Sequence, residues 1–195
     1  MTTRCTLRSL LPLLSSAALI LSTPLSGEST SAVGEWTATA SITTSQGTRS
    51  MPVGIVVTSP LSPEQALPLR DVLEIGGQQA LLNAIRGGSR GSLRLGGMEY
   101  PVDLVVAQPT DDGFHYVIVT ARQIKYEETV DEKYAGSLDY PFGILVFDSS
   151  GFGTSEGVLF TRGALSISEE GRVQASQYDG EPGTLKDVKR VNQKK

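Results

Sequence analysis

The chain has 195 residues, a formal charge of −4 and one cysteine. A single cysteine excludes a disulfide framework and a thiolate metal site. Mild acidity excludes the basic stripe by which a domain holds nucleic acid.

The first residues read as a processing segment. "MTTRCTLRSLLPLLSSAALILSTPLSG" opens with Arg4 and Arg8 and turns apolar from Leu10 to Leu21. A positive start before a short apolar run describes a secretory signal peptide. The run falls short of the roughly 20 apolar residues of a membrane span, and Pro12 works against an anchor helix. Cleavage is expected between Thr23 and Ala32. Cys5 precedes the apolar run, so it is not a lipid-attachment cysteine, and the mature chain would hold none. A cut before Glu28 leaves 15 basic against 21 acidic side chains, or −6. The expected organisation is a signal peptide over 1–27, a linker over 28–35, one β-rich domain over 36–191 and a basic tail over 192–195. Such a chain is secreted or periplasmic, with no transmembrane span in its mature form.

"EWTATASITT" alternates Thr37, Thr39 and Ser41 with Ala38, Ala40 and Ile42, the period of a half-buried strand. "MPVGIVVTS" is a second strand, and Pro52 marks an edge or a strand start because it cannot donate to a ladder. Ser62, Pro63 and Gln65 form a capping-box start for a helix. Pro68 should kink or delay that helix. Gly76 and Gly77 break it, and "QQALLNAIRGG" makes a second short helix, giving a helical hairpin. The remaining elements are strands: "GSLRLGG", "EYPVDLVVAQ", "FHYVIVTARQI", "YPFGILVFDS", "EGVLFTRG", "ALSISEEG", "RVQASQYDG" and "TLKDVKRV". Glycine after short polar residues separates several of them, as turns require. "YVIVTA" and "FGILVF" are apolar on both faces and so belong in the middle of the sheet. The fold class is mainly β with some α: one antiparallel β-sandwich or partly closed barrel with a short helical hairpin.

"GTSEG", Gly153 to Gly157, matches the nucleophile-elbow pattern G-x-S-x-G. An elbow needs a strand, a sharp turn and then a helix. Here the flanks predict strand, turn and strand. The only histidine, His115, precedes Ser155, against the hydrolase order. Ser155 is therefore read as a turn residue. His115 shares a strand face with Val117, Val119 and Ala121 and is read as structural. One histidine and no mature cysteine leave no ordinary zinc site, and no calcium loop occurs. No catalytic residue, metal or cofactor is assigned.

The stretch "KYEETVDEKYAGSLDY", Lys125 to Tyr140, is the longest connection without periodicity, and such loops in compact domains carry function or motion. Tyr126, Tyr134 and Tyr140 lie in it, among carboxylates. Tyrosine joins apolar area to a hydroxyl, so these three are the candidate contact residues.

Several short motifs together resemble a family of short, secreted bacterial proteins without assigned function. They are "ALL" at Ala80–Leu82, Arg122–Ile124, "DYPF" at Asp139–Phe142, the glycine hairpin Gly151–Gly157, and Tyr178, Pro182, Leu185 and Val188. Relatives often carry tryptophan after the arginine–isoleucine motif, where this chain has Lys125 and Tyr126. The resemblance spans about residues 37 to 191 and implies secretion and one β-rich domain, with no activity. The expected function is an exported, non-catalytic binding or structural module of the bacterial envelope, partner unknown. The alternatives are a carboxylate-based hydrolase and a carrier of a small apolar ligand.

Overall fold

The computed structural model describes residues 31–44, 47–125, 139–150 and 153–191. The expected signal peptide, residues 28–30 of the linker and the basic tail lie outside the described residues. The described part holds ten strands and one helix. The hairpin β1 (Gly34–Thr44) and β2 (Gly47–Val57) precedes the helix α1 (Pro63–Ile85). Then come β3 (Gly91–Leu95), β4 (Met98–Val102), β5 (Leu104–Thr110), β6 (Gly113–Thr120), β7 (Phe142–Ser150), β8 (Ser155–Ile167), β9 (Val173–Tyr178) and β10 (Gly183–Arg190). All belong to one antiparallel sheet in the order β4-β3-β2-β1-β10-β8-β7-β6-β5, with β9 beside β8. The protein is mainly antiparallel β, and its sheet is a nearly closed barrel.

Closure follows from chain continuity. β4 and β5 stand at opposite ends of the strand path, yet they are consecutive in sequence and meet at Asp103. "EYPVDLVVAQ", expected as one strand, is thus two strands around a corner. Asp103 is buried, and its carboxylate holds that corner. Oδ1 accepts from the Gly87 N–H at 2.8 Å and Oδ2 from the Ala121 N–H at 2.7 Å. Its own N–H donates to the Val119 carbonyl at 2.9 Å. The free edge of β5 is bridged by Leu61, which donates to the Val105 carbonyl and accepts from the Ala107 N–H.

Strand alternation sorts the apolar residues into two cores. Trp36, Ala38, Ala40 and Ile42 of β1 face the barrel interior with Ile55, Leu93, Tyr116, Phe147, Leu159 and Leu185. Trp36, Tyr116 and Phe147 pack ring against ring at centroid distances of 5.0 to 5.9 Å. The Trp36 Nε1–H donates to the Ser149 hydroxyl at 2.9 Å, which satisfies the indole in an apolar setting. The second core lies outside the sheet. There Ala66, Leu81, Leu82 and Ile85 of α1 cover Val106, Val117, Val119, Phe142, Ile144 and Leu165. Burying each large side chain contributes about 1.5–3 kcal/mol. The strands expected at the centre, β6 and β7, have neighbours on both sides.

The helix begins as expected. Ser62 Oγ accepts from the Gln65 N–H and the Gln65 side chain accepts from the Ser62 N–H. Pro68 does not kink it: the residue keeps helical geometry, and the break falls at Gly77 (φ 65°, ψ −165°). The break divides α1 into two helical segments, as expected from Gly76 and Gly77, joined by a one-residue kink in place of a hairpin loop. The turn expected near Gly163 is also absent, and "EGVLFTRG" and "ALSIS" form one 13-residue strand, β8. Gly163 is there for packing, since a Cβ on it would come within 2.7 Å of Ile144 Cδ1. Pro52 sits within β2 opposite Thr39 of β1, but β3 pairs only from Val53 onward, so Pro52 has a strand on one side only. No described helix is long and apolar enough to cross a membrane.

Candidate binding site

Three backbone irregularities meet beside the second core. The first is the break in α1 at Gly77. The second is the register shift of the β8–β9 ladder between Ala164 and Leu165: Ala164 pairs with Gln177 and Leu165 with Ala175, which leaves Ser176 as the extra residue. The third is the bend at Asp139 and Tyr140 that leads into β7. Between them lies an open cleft of about 590 Å³. Gln78, Gln79, Asp139, Tyr140, Ser176 and Gln177 line it, with Gly76 and Ala164. Bulges commonly re-aim side chains near functional surfaces.

Gln78 supports this arrangement. Its Nε2 donates to the Leu165 carbonyl at 2.8 Å, and its Oε1 accepts from the Leu165 N–H at 3.0 Å. One side-chain amide thus replaces the neighbouring strand that β8 lacks beyond the start of β7. Tyr140 is held through its main chain, whose carbonyl accepts from Gln123 Nε2 at 3.0 Å. Gln79, Ser176 and Gln177 are exposed. Gln79 makes one 3.3 Å bond to Asn83 and keeps its carbonyl oxygen.

Of the three tyrosines singled out from sequence, Tyr140 lines the cleft and is half-buried. Tyr126 and Tyr134 lie outside the described residues. The glutamines and Ser176 escaped the sequence reading. Exposed glutamine on a helix or an edge strand carries no periodic signature, and "GGQQ" reads only as a helix restart. Long-range pairing brings these residues together.

A second groove, of about 390 Å³, lies on the outer face of β6, β7, β8 and β10. His115 of β6 is directly opposite Asp148 of β7, and Nδ1 and Oδ1 lie 2.6 Å apart. Glu156, Thr184 and Lys186 border it over Val146 and Val158. Ser155 begins β8 directly after the β7–β8 hairpin and donates its hydroxyl to the Asp148 carbonyl. "GTSEG" therefore runs into a strand, and no helix starts at Ser155. Asp148 is 70 % exposed, unlike the apolar burial that tunes a carboxyl into a general acid. Among the described residues, no group of three or more histidine, cysteine, aspartate or glutamate side chains is placed to hold a metal ion.

No protein-family model, curated protein or solved structure matches this chain.

Proposed function

We propose that the protein is an exported, non-catalytic binding module of the bacterial envelope, and that the cleft at Gln78, Tyr140 and Gln177 is its binding surface. The observation that carries this reading is the convergence of the α1 break, the β8–β9 bulge and the Asp139–Tyr140 bend on one polar cleft. Irregularities of this kind cost energy and are held where function uses them. Arg4, Arg8 and the apolar run after them support export. The alternative of an apolar-ligand carrier has less support, because Trp36, Tyr116, Phe147 and Ile118 fill the barrel interior. The hydrolase alternative has less support because Asp148 is 70 % exposed and lacks the apolar burial that raises a catalytic acid.

The test is a variant that fills the cleft. Gln79→Trp, on an exposed position, should keep the melting temperature of the parent protein and lose co-sedimentation with cell-envelope fractions. Equal co-sedimentation of both proteins overturns the reading. Mass spectrometry of the exported protein should give an N-terminus between residues 23 and 33. Full-length protein confined to the cytosol overturns export.

A further inference from the structure

The cleft offers a particular set of polar groups. Gln177 and Gln79 present amides, Ser176 a hydroxyl, Asp139 a carboxylate and Tyr140 a half-buried ring with a phenol. Gln78 is committed to Leu165 and serves as framework. The described lining contains neither lysine nor arginine. A phosphate, a sulfate or an acidic chain would find no cation among the described lining residues and would face Asp139. Among the described lining residues, an apolar ligand would find Ala164 and Gly76 as aliphatic wall. A peptide added to a sheet edge is held by main-chain groups, whereas most of the described lining residues carry polar side chains.

Amides both donate and accept, a carboxylate accepts twice, and a hydroxyl does either. That inventory is the complement of a polyol, each of whose hydroxyls donates and accepts at once. Tyr140 adds an aromatic surface for the C–H face of a sugar ring. A volume of about 590 Å³ is within the range that holds a ligand of a few rings. Resting on the reading of the cleft as a binding surface, we infer that its ligand is an uncharged oligosaccharide.

The experiment is an NMR titration of the ¹⁵N-labelled mature protein with cellotriose, maltotriose and chitotriose, and separately with heparin and an extended lysine-containing peptide. A neutral trisaccharide should shift the side-chain amide signals of Gln79 and Gln177 and the backbone signal of Tyr140. The shift should persist at high salt, because no charge pair is involved. Gln79→Ala combined with Gln177→Ala should weaken binding by about tenfold, the equivalent of one or two lost hydrogen bonds, with the melting temperature unchanged. If none of the three trisaccharides shifts these signals, the sugar assignment is overturned. Heparin or the peptide shifting them instead overturns it equally, while the binding reading stands. Failure of that reading has a different signature: envelope association that survives Gln79→Trp.

Discussion

Asp103 is where one residue does most for this architecture. Two main-chain N–H groups, from Gly87 after the helix and Ala121 after β6, converge on its buried carboxylate. The corner between β4 and β5 and the end of α1 are thereby tied to one side chain. Removing the carboxylate strands the buried Ala121 N–H, at about 1–3 kcal/mol, and loses the charge-assisted bond to the exposed Gly87 N–H. Asp103→Ala should lower the unfolding free energy by about 2–4 kcal/mol, and Asp103→Asn by less, since it keeps one acceptor. Urea unfolding of the three proteins checks this through the shift in midpoint at constant slope. A loss below about 0.5 kcal/mol for the alanine variant would mean that the corner is held elsewhere. Ser155 is the opposite case. Its hydroxyl donates to the Asp148 carbonyl at a partly exposed strand end. Ser155→Ala should change stability by less than about 1 kcal/mol. A fluorophosphonate probe should leave this serine unlabelled, and labelling would restore it as a nucleophile.

At the scale of elements, the helix shows how far local chemistry reaches. Its start was legible because a capping box is a local code: Ser62 and Gln65 need nothing but each other. Its break was legible at Gly76–Gly77 for the same reason, and Gly77 occupies a conformation that only glycine adopts readily. Gly77→Ala should therefore cost about 1–3 kcal/mol, even though an added Cβ would meet nothing within 4 Å. Thermal unfolding measures this, and a neutral substitution would show that the break yields easily. Pro68 misled for a related reason. Burial of Ala66, Leu81, Leu82 and Ile85 against the sheet holds the helix through the proline. Gly163 misled because a close interstrand approach and a turn both call for glycine, and a sequence does not tell them apart. The "EYPVDLVV" corner was hidden because its cause, the pair of donors that reach Asp103, comes from residues 16 and 18 positions away. The cleft is less legible still. Gln78, Tyr140 and Gln177 come from three distant elements, and of these only Tyr140 has a composition that marks contact surfaces.

At the scale of the whole molecule, two buried tyrosines link barrel closure to pH. Tyr116 lies inside the barrel and donates to the Ala32 carbonyl at 3.0 Å, tying the segment before β1 to the interior. Tyr100 of β4 donates to the Lys125 carbonyl and accepts from the Lys125 N–H at 3.0 Å, tying the end strand to the chain beyond β6. Burial raises both phenols above the ordinary tyrosine range. The nearby Arg190 opposes this for Tyr116, and the Lys125 main chain and then Arg122 oppose it for Tyr100. In the unfolded chain both ionise near the ordinary value of about 10. Above that pH the unfolded state has released protons that the folded state keeps. The folded state then binds more protons, so stability falls as pH rises. Below about pH 10 both states hold the protons, and the stabilisation from these groups is fully present. Urea unfolding across the alkaline range should show a loss that begins near the ordinary tyrosine value. Spectrophotometric titration should show Tyr100 and Tyr116 ionising only as the barrel opens. Tyr116→Phe, which cannot ionise, should make the alkaline slope shallower while losing the bond to Ala32. An unchanged slope in Tyr116→Phe would show that the barrel interior does not set the alkaline limit.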